Sequence, residues 1–281
     1  LFGKRTGNQA LMEFAASDYQ NSEDPLTLDE HNLFYRLQTV FSHEEMMQYD
    51  RNPVIVHRDL YYESVGLFMA RDSRLYLAVK GGDNDDSHNH NDVGSFTIYK
   101  DGKPIFIDAG VETYTKKTFS PDRYDIWTMQ SRYHNLPTFV DHGRETVQQA
   151  GEQYCAADVR YELGETACRI SMDIRQAYPD DRIRSYTREA VLEKEKSITI
   201  SDHYEGDGGT AVLSLMFCEK PVIDQNTIRI GDLAVCAVEG ASSITVEEIP
   251  VTDERLKTAW KHKLYRCLVT MEAHDLTLTI V

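Results

Sequence analysis

Apolar positions recur at helical spacing over roughly the first fifty residues, and then the pattern changes. Ala10-Leu11-Met12-Glu13-Phe14-Ala15-Ala16 is rich in helix formers. Leu33, Leu37, Val40 and Phe41 fall on one helical face after Asp29-Glu30, with Glu44-Glu45-Met46-Met47 behind them. Asn52-Pro53 breaks the helical pattern, and from Val54 onward the chain is a series of short β-prone runs between turn residues. Ser64 to Met69 and Leu75 to Lys80 predict a hairpin with Arg71-Asp72-Ser73-Arg74 as its turn. Ser95 to Tyr99 and Ile105 to Asp108 predict another around Lys100-Asp101-Gly102-Lys103, where Asp-Gly is a strong turn signal.

Further strands are expected at 156–162, 167–173, 185–192, 197–203, 211–218, 227–230, 233–239, 243–248, 265–273 and 275–281. Regular short strands with turns between them predict a mainly β protein. The expected form is a large antiparallel β-sandwich of two packed sheets, preceded by a short α-helical segment. The boundaries fall at 1–52 for the helical segment and 53–281 for the sandwich. The stretch from Gly110 to Gly151 is less periodic and longer than an ordinary connection, so it is expected to be a functional loop.

Composition narrows the function classes. A formal charge of −16 over 281 residues argues against nonspecific binding to nucleic acid or an anionic membrane. No apolar run approaches the roughly 20 residues of a membrane span. The five cysteines form no CxxC pair, and several lie in apolar strand-like runs. Buried reduced thiols are the simplest account, and they favour a reducing, cytoplasmic compartment. Leu1-Phe2-Gly3-Lys4-Arg5 has no signal-peptide layout. The chain opens without Met, however, so a periplasmic or secreted location stays open if it is a fragment.

His88-Asn89-His90-Asn91-Asp92 carries the densest chemistry, between a Gly/Asp-rich loop and the strand that begins near Gly94. Asp108 and His134 follow at punctuated positions. Histidines with an aspartate suit a small divalent ion such as zinc, which takes imidazole nitrogen and carboxylate oxygen. A polar loop with one or two hydrogen-bonded histidines fits the spacing equally well. Lys116, Lys117, Arg123, Arg132 and Arg144 cluster nearby in sequence. They could form an anion patch, although an ordinary solvated surface explains most of them.

The stretch from Tyr76 to Gly151 resembles the β-sandwich domain of the heparinase II/III-like polysaccharide lyases. The matching elements begin with Lys80-Gly81-Gly82, Ser87-His88-Asn89-His90-Asn91-Asp92-x-Gly94-Ser95-Phe96 and Ile107-Asp108-Ala109-Gly110. They continue with Tyr114-Thr115, Phe119, Arg123-Tyr124, Trp127 and Ser131-x-x-His134-Asn135-x-Pro137. Val246 to Pro250, Asp253, and Trp260 to Arg266 also fit, so the likeness runs from about residue 54 to the end.

The resemblance implies β-elimination of a uronic-acid-containing polysaccharide such as a glycosaminoglycan or alginate. It also implies an N-terminal (α/α) toroid joined to the sandwich, and a structural metal, usually zinc, on His90, Asp108 and His134. Another divalent ion would suit the same donors. His88 is then expected to face the substrate as a catalytic group, with Tyr114 and Tyr124 as the sandwich tyrosines. Arg123, Asn89 and Trp127 are the expected substrate contacts. Several catalytic groups of the family belong to the toroid, of which some fifty helical residues can represent only the last helices. The chain alone is therefore expected to be weakly active or inactive. Two other readings compete. One is a non-catalytic metal-stapled module that binds glycan or supports a catalytic domain. The other is a cupin-like metal enzyme in which Asp92 would be the carboxylate of the HxH group.

Overall fold

The computed structural model describes residues 1–23, 32–54, 57–207 and 209–281. The helix-start signal read at Asp29-Glu30 lies outside the described residues. The chain divides into two compact units, Leu1–His57 and Arg58–Val281.

The first unit is helical, with helices Phe2–Thr6, Gln9–Asn21 and Leu33–Met46. Asn8 and Asn32 cap the second and third by accepting from Leu11 N–H and Phe34 N–H, satisfying amides that a helix start leaves unpaired. Tyr19 Oη meets His43 Nδ1 at 2.8 Å, and Gln20 Nε2 donates to the Met46 and Tyr49 carbonyls. Apolar burial is slight. Helix Leu33–Met46 buries no residue, and Phe34, Tyr35 and Phe41 are exposed.

The second unit is all antiparallel apart from helix Glu254–Trp260 and short 3-10 turns. Its first sheet is a meander of Leu60–Tyr62, Leu67–Arg71, Leu75–Lys80, Phe96–Lys100 and Lys103–Phe106. Asp101 and Gly102, both at positive φ, make the tight turn between the last two strands. An eight-stranded sheet is built around Ala167–Asp173, Ile183–Glu193, Ser197–Gly206 and Asp275–Ile280. A further five-stranded sheet runs Ala241–Pro250, Lys263–Met271, Thr210–Phe217, Pro137–Asp141, Arg144–Thr146. Strand Leu75–Lys80 packs across from Ile183–Glu193 and Ser197–Gly206. One core of residues from all three sheets, including Phe68, Leu77, Ile170, Ile200, Leu213 and Val269, fills the interior.

The mainly β, sandwich-type architecture matches the periodicity, with three corrections. The described residues form three main sheets and a small two-stranded one rather than two. The meander joins the third sheet through Ile107 N–H donating to Met216 O at 3.0 Å. The stretch 110–151 is not one long loop: it holds 3-10 turns at Lys117–Phe119, Pro121–Asp125, Trp127–Met129 and Ser131–Tyr133, then strands Pro137–Asp141 and Arg144–Thr146. Strand Pro137–Asp141 escaped the pattern because Pro137, Thr138 and Phe139 are consecutively buried, so nothing alternates. Pro137 opens the strand, a position where a missing N–H is tolerated. Helix Glu254–Trp260 was also unforeseen, although Asp253 caps it by accepting from Arg255 and Leu256 N–H.

Candidate functional site

Three separate segments of the second unit converge at one point. Residues 81–95 connect strands Leu75–Lys80 and Phe96–Lys100 and carry His90 and Asp92. Asp108 lies just beyond strand Lys103–Phe106, and His134 caps the 3-10 turn Ser131–Tyr133. Among the described residues, His90, Asp92, Asp108 and His134 form the group whose ligand atoms all lie within 4.8 Å of one another. His134 Nε2 is 3.2 Å from His90 Nδ1 and 3.3 Å from Asp108 Oδ2.

The surroundings orient these donors. His134 Nδ1 lies 2.9 Å from the Gln130 carbonyl, which can only accept. Nδ1 therefore carries a proton, and Nε2 is the nitrogen that faces the cluster, the orientation typical of metal-bound histidine. Gly110 N–H donates to Asp108 Oδ1 at 2.7 Å, leaving Oδ2 for the centre. Asp92 is tied to the Lys80 ammonium, so its charge is partly spent there. Asp92 is the member that sequence reading placed with a metal only in the cupin-like alternative. Gly94, at φ +87, brings the backbone so near Ile174 that a Cβ would sit 2.7 Å from Cγ2.

Electrostatics favour a positive charge at the centre. Burial would raise the Asp108 carboxyl, yet the adjoining His134 overrides it and holds Asp108 well below the usual carboxylate range. Burial likewise disfavours charged His134, but Asp108 pushes it up to about 9. Burial, reinforced by His134, pushes His90 down to about 4, so it is a neutral nitrogen donor. A proton can occupy the place between Asp108 and His134. Two imidazole nitrogens and a carboxylate suit a divalent cation there better still, because one ion satisfies three lone pairs.

His88 has a different setting. Its φ of 62° turns the chain, so two histidines that would share a face on an extended strand diverge. His88 is exposed and stacks on Tyr114, ring centroids 5.5 Å apart and planes 10° from parallel. Phe119 meets both rings edge-on and is 69% exposed, an unusual position for a large aromatic. Arg255, from the unforeseen helix, lies over Tyr114 at 5.1 Å. Asp253 accepts from Thr113 N–H, and Trp260 Nε1 donates to Ala109 O, so that helix splints residues 109–114.

The remaining expected residues occupy supporting positions. Arg123 donates twice to Asn89 O, at 2.9 and 2.7 Å, and once to Thr118 O at 2.8 Å. Asn89 is buried and donates to Asn84 O and to Tyr124 Oη. Together they brace the loop that bears His88. Tyr124 also lines a polar cavity of about 250 Å³ with Asn91 and Arg132. Trp127 is half-buried, donates to Glu112, and packs on Tyr133 beside a second small core that includes Ile107 and Met216. Three of the five basic residues are engaged within the chain: Lys117 pairs with Asp125, Arg132 with Glu145, and Arg123 serves carbonyls. Asp253 and Arg255, quoted or passed over in the sequence, would have been legible as an N-cap followed by a helix start.

A family model described as heparinase II/III-like, C-terminal, matches residues 56–260. No curated protein matches the chain. Among solved structures, a heparinase III aligns with TM-score 0.62 and 16% identity over 92% of this chain and 43% of its own. A heparan sulfate lyase HepC from Pedobacter heparinus aligns with TM-score 0.61 and 15% identity, over 96% of this chain and 41% of its own. At such identities the likeness is one of fold. The chain spans about two fifths of the length of these structures.

Proposed function

This chain belongs to the heparinase II/III-like, C-terminal family, and from that premise we propose that it is the sandwich part of a polysaccharide lyase. The substrate class is a uronic-acid-containing polysaccharide, cleaved by β-elimination. The names of the matched structures, a heparinase and a heparan sulfate lyase, favour a glycosaminoglycan over alginate. The observation that carries the reading is the convergence of His90, Asp108 and His134 from three segments, beside an exposed His88.

β-Elimination asks for a neutralised carboxylate, a base for the proton beside it, and an acid for the departing oxygen. His88 supports the base or acid role through its exposure, and Tyr114, stacked on it, is the adjoining tyrosine for the second proton-transfer role. Arg255 lies over the Tyr114 ring and fixes its position beside His88. Asn89, Arg123 and Tyr124 support the loop. In this reading zinc on His90, Asp108 and His134 contributes positive charge and a rigid link between segments. Asp92, shared with Lys80, is the adjacent carboxylate. The helical unit is read as part of an (α/α) toroid, because Phe34, Tyr35 and Phe41 present apolar surface that further helices would cover.

A second reading is a glycan-binding module that supports catalysis elsewhere. The cupin-like reading does not survive the family match and the three-sheet sandwich. Incubation with a panel of uronate polysaccharides separates the two that remain. Ultraviolet absorbance from a new C4–C5 double bond is expected with a glycosaminoglycan. Binding without that absorbance selects the module, and absence of both contradicts the proposal.

A further inference from the structure

Arg188 lies on strand Ile183–Glu193 in the parity of Tyr186, Ala190 and Leu192, all of which face the core, and it is 1% exposed. Asp202 stands directly across from it on strand Ser197–Gly206. The pair is bidentate, Nε to Oδ1 at 2.7 Å and Nη2 to Oδ2 at 2.6 Å, and Tyr186 Oη donates to Oδ2 as well. Apolar residues in such a place usually serve stability as well or better. The pair therefore asks for another explanation.

The remaining guanidinium nitrogen supplies one. Arg188 Nη1 donates to Gly94 O and to Asn135 O, each at 2.7 Å. Gly94 follows the segment that bears His90 and Asp92, and Asn135 follows His134. Asn135 is fully buried and extends the link. Its Nδ2 donates to Phe96 O at 2.6 Å and to Ile107 O at 3.1 Å, and its Oδ1 accepts from Met216 N–H at 2.8 Å. Ile107 immediately precedes Asp108. Each segment that supplies a cluster residue is thus held, at a neighbouring carbonyl, by one of two buried side chains.

We propose that Arg188 and Asn135 are positioning residues for the divalent cation: a buried clamp that sets the spacing of the three ligand-bearing segments before the ion arrives. The inference rests on reading His90, Asp108 and His134 as a cation site. It assigns the buried ion pair to preorganisation of that site rather than to the core alone. Outer partners that orient metal ligands commonly govern affinity by about 10–100-fold.

The test measures zinc affinity by competition with a chromogenic chelator, together with the visible absorption of the Co²⁺-loaded protein. The variants are Asn135→Ala, Arg188→Lys and the apolar pair Arg188→Met with Asp202→Leu. Leu278→Ala, a core residue that makes none of these hydrogen bonds, is the control. The expected result is zinc binding by the wild type, and affinity about 10–100-fold weaker with an altered Co²⁺ spectrum in the folded clamp variants. Leu278→Ala should lower Tm and leave both readouts alone. Folded clamp variants with unchanged affinity and spectrum would overturn the clamp while leaving the cation site standing. Equal weakening by Leu278→Ala, or clamp variants that never fold, would assign the residues to general stability and also overturn it. A wild type that binds no ion removes the site itself, a failure distinct from the others.

Discussion

His90 and His88 are two residues apart and live in different physical worlds. His90 is half-buried, kept neutral by burial, and held against His134 and Asp108. His88 is turned outward by a left-handed backbone and rests against Tyr114 and an exposed Phe119. Burial among other cluster side chains suits a group that must not move. Exposure beside aromatic rings suits one that must meet a sugar. In the proposed reading, the contrast divides a single His-x-His motif into an anchoring half and a working half.

The largest expected effect tests the working half. In protein that shows lyase turnover, His88→Ala should lower kcat by about 10²–10⁴, the range of a lost general acid or base, with zinc content and Tm unchanged. Retained turnover would contradict the division. The next tests the anchor: Asp108→Ala should remove the ion and lower Tm together. An ion at about 100 times its Kd stabilises by about 2.7 kcal/mol, which at roughly 2–4 °C per kcal/mol is a fall of about 5–10 °C. Metal loss at constant Tm would deny the anchoring role. A smaller difference separates the tyrosines. Tyr114→Phe should cost about 10²-fold in kcat, the lower end for a proton-transfer group, and Tyr124→Phe distinctly less. The reverse order would move the working surface to Tyr124.

The smallest effect concerns a histidine outside both halves. His203 Nδ1 is 2.7 Å from Asp275 Oδ1, and this hydrogen bond raises the imidazole above its ordinary value. The folded state therefore binds the proton more tightly than the unfolded one. Its contribution is fully present below about pH 6.5 and fades as pH rises through the raised value. Unfolding of Asp275→Asn across that window should lose this component, read as a flatter Tm against pH. A profile identical to wild type would show that the pair contributes nothing.

Much of the sandwich was legible because its strands alternate and its turns are chemically explicit, as at Asp101-Gly102. The grouping of His90, Asp108 and His134 was legible through the family resemblance rather than spacing, since nothing local to Asp108 or His134 sets them apart. Asp92 was seen only as a cupin-type carboxylate, because its pairing with Lys80 across the loop is a tertiary fact. Arg123 was expected as a sugar contact, and the engagement of three of its donors by the Asn89 and Thr118 carbonyls is a tertiary fact the sequence does not announce. The Arg188–Asp202 pair did leave a signal: each occupies the apolar parity of its strand, a conflict between charge and register. Such conflicts mark places where a local rule yields to a distant requirement.

The anchoring half carries the whole account, and its position can be observed directly. Anomalous scattering at the zinc edge from crystals of the protein should give one strong peak bounded by His90, Asp108 and His134. A peak elsewhere, or none after zinc loading, would contradict it.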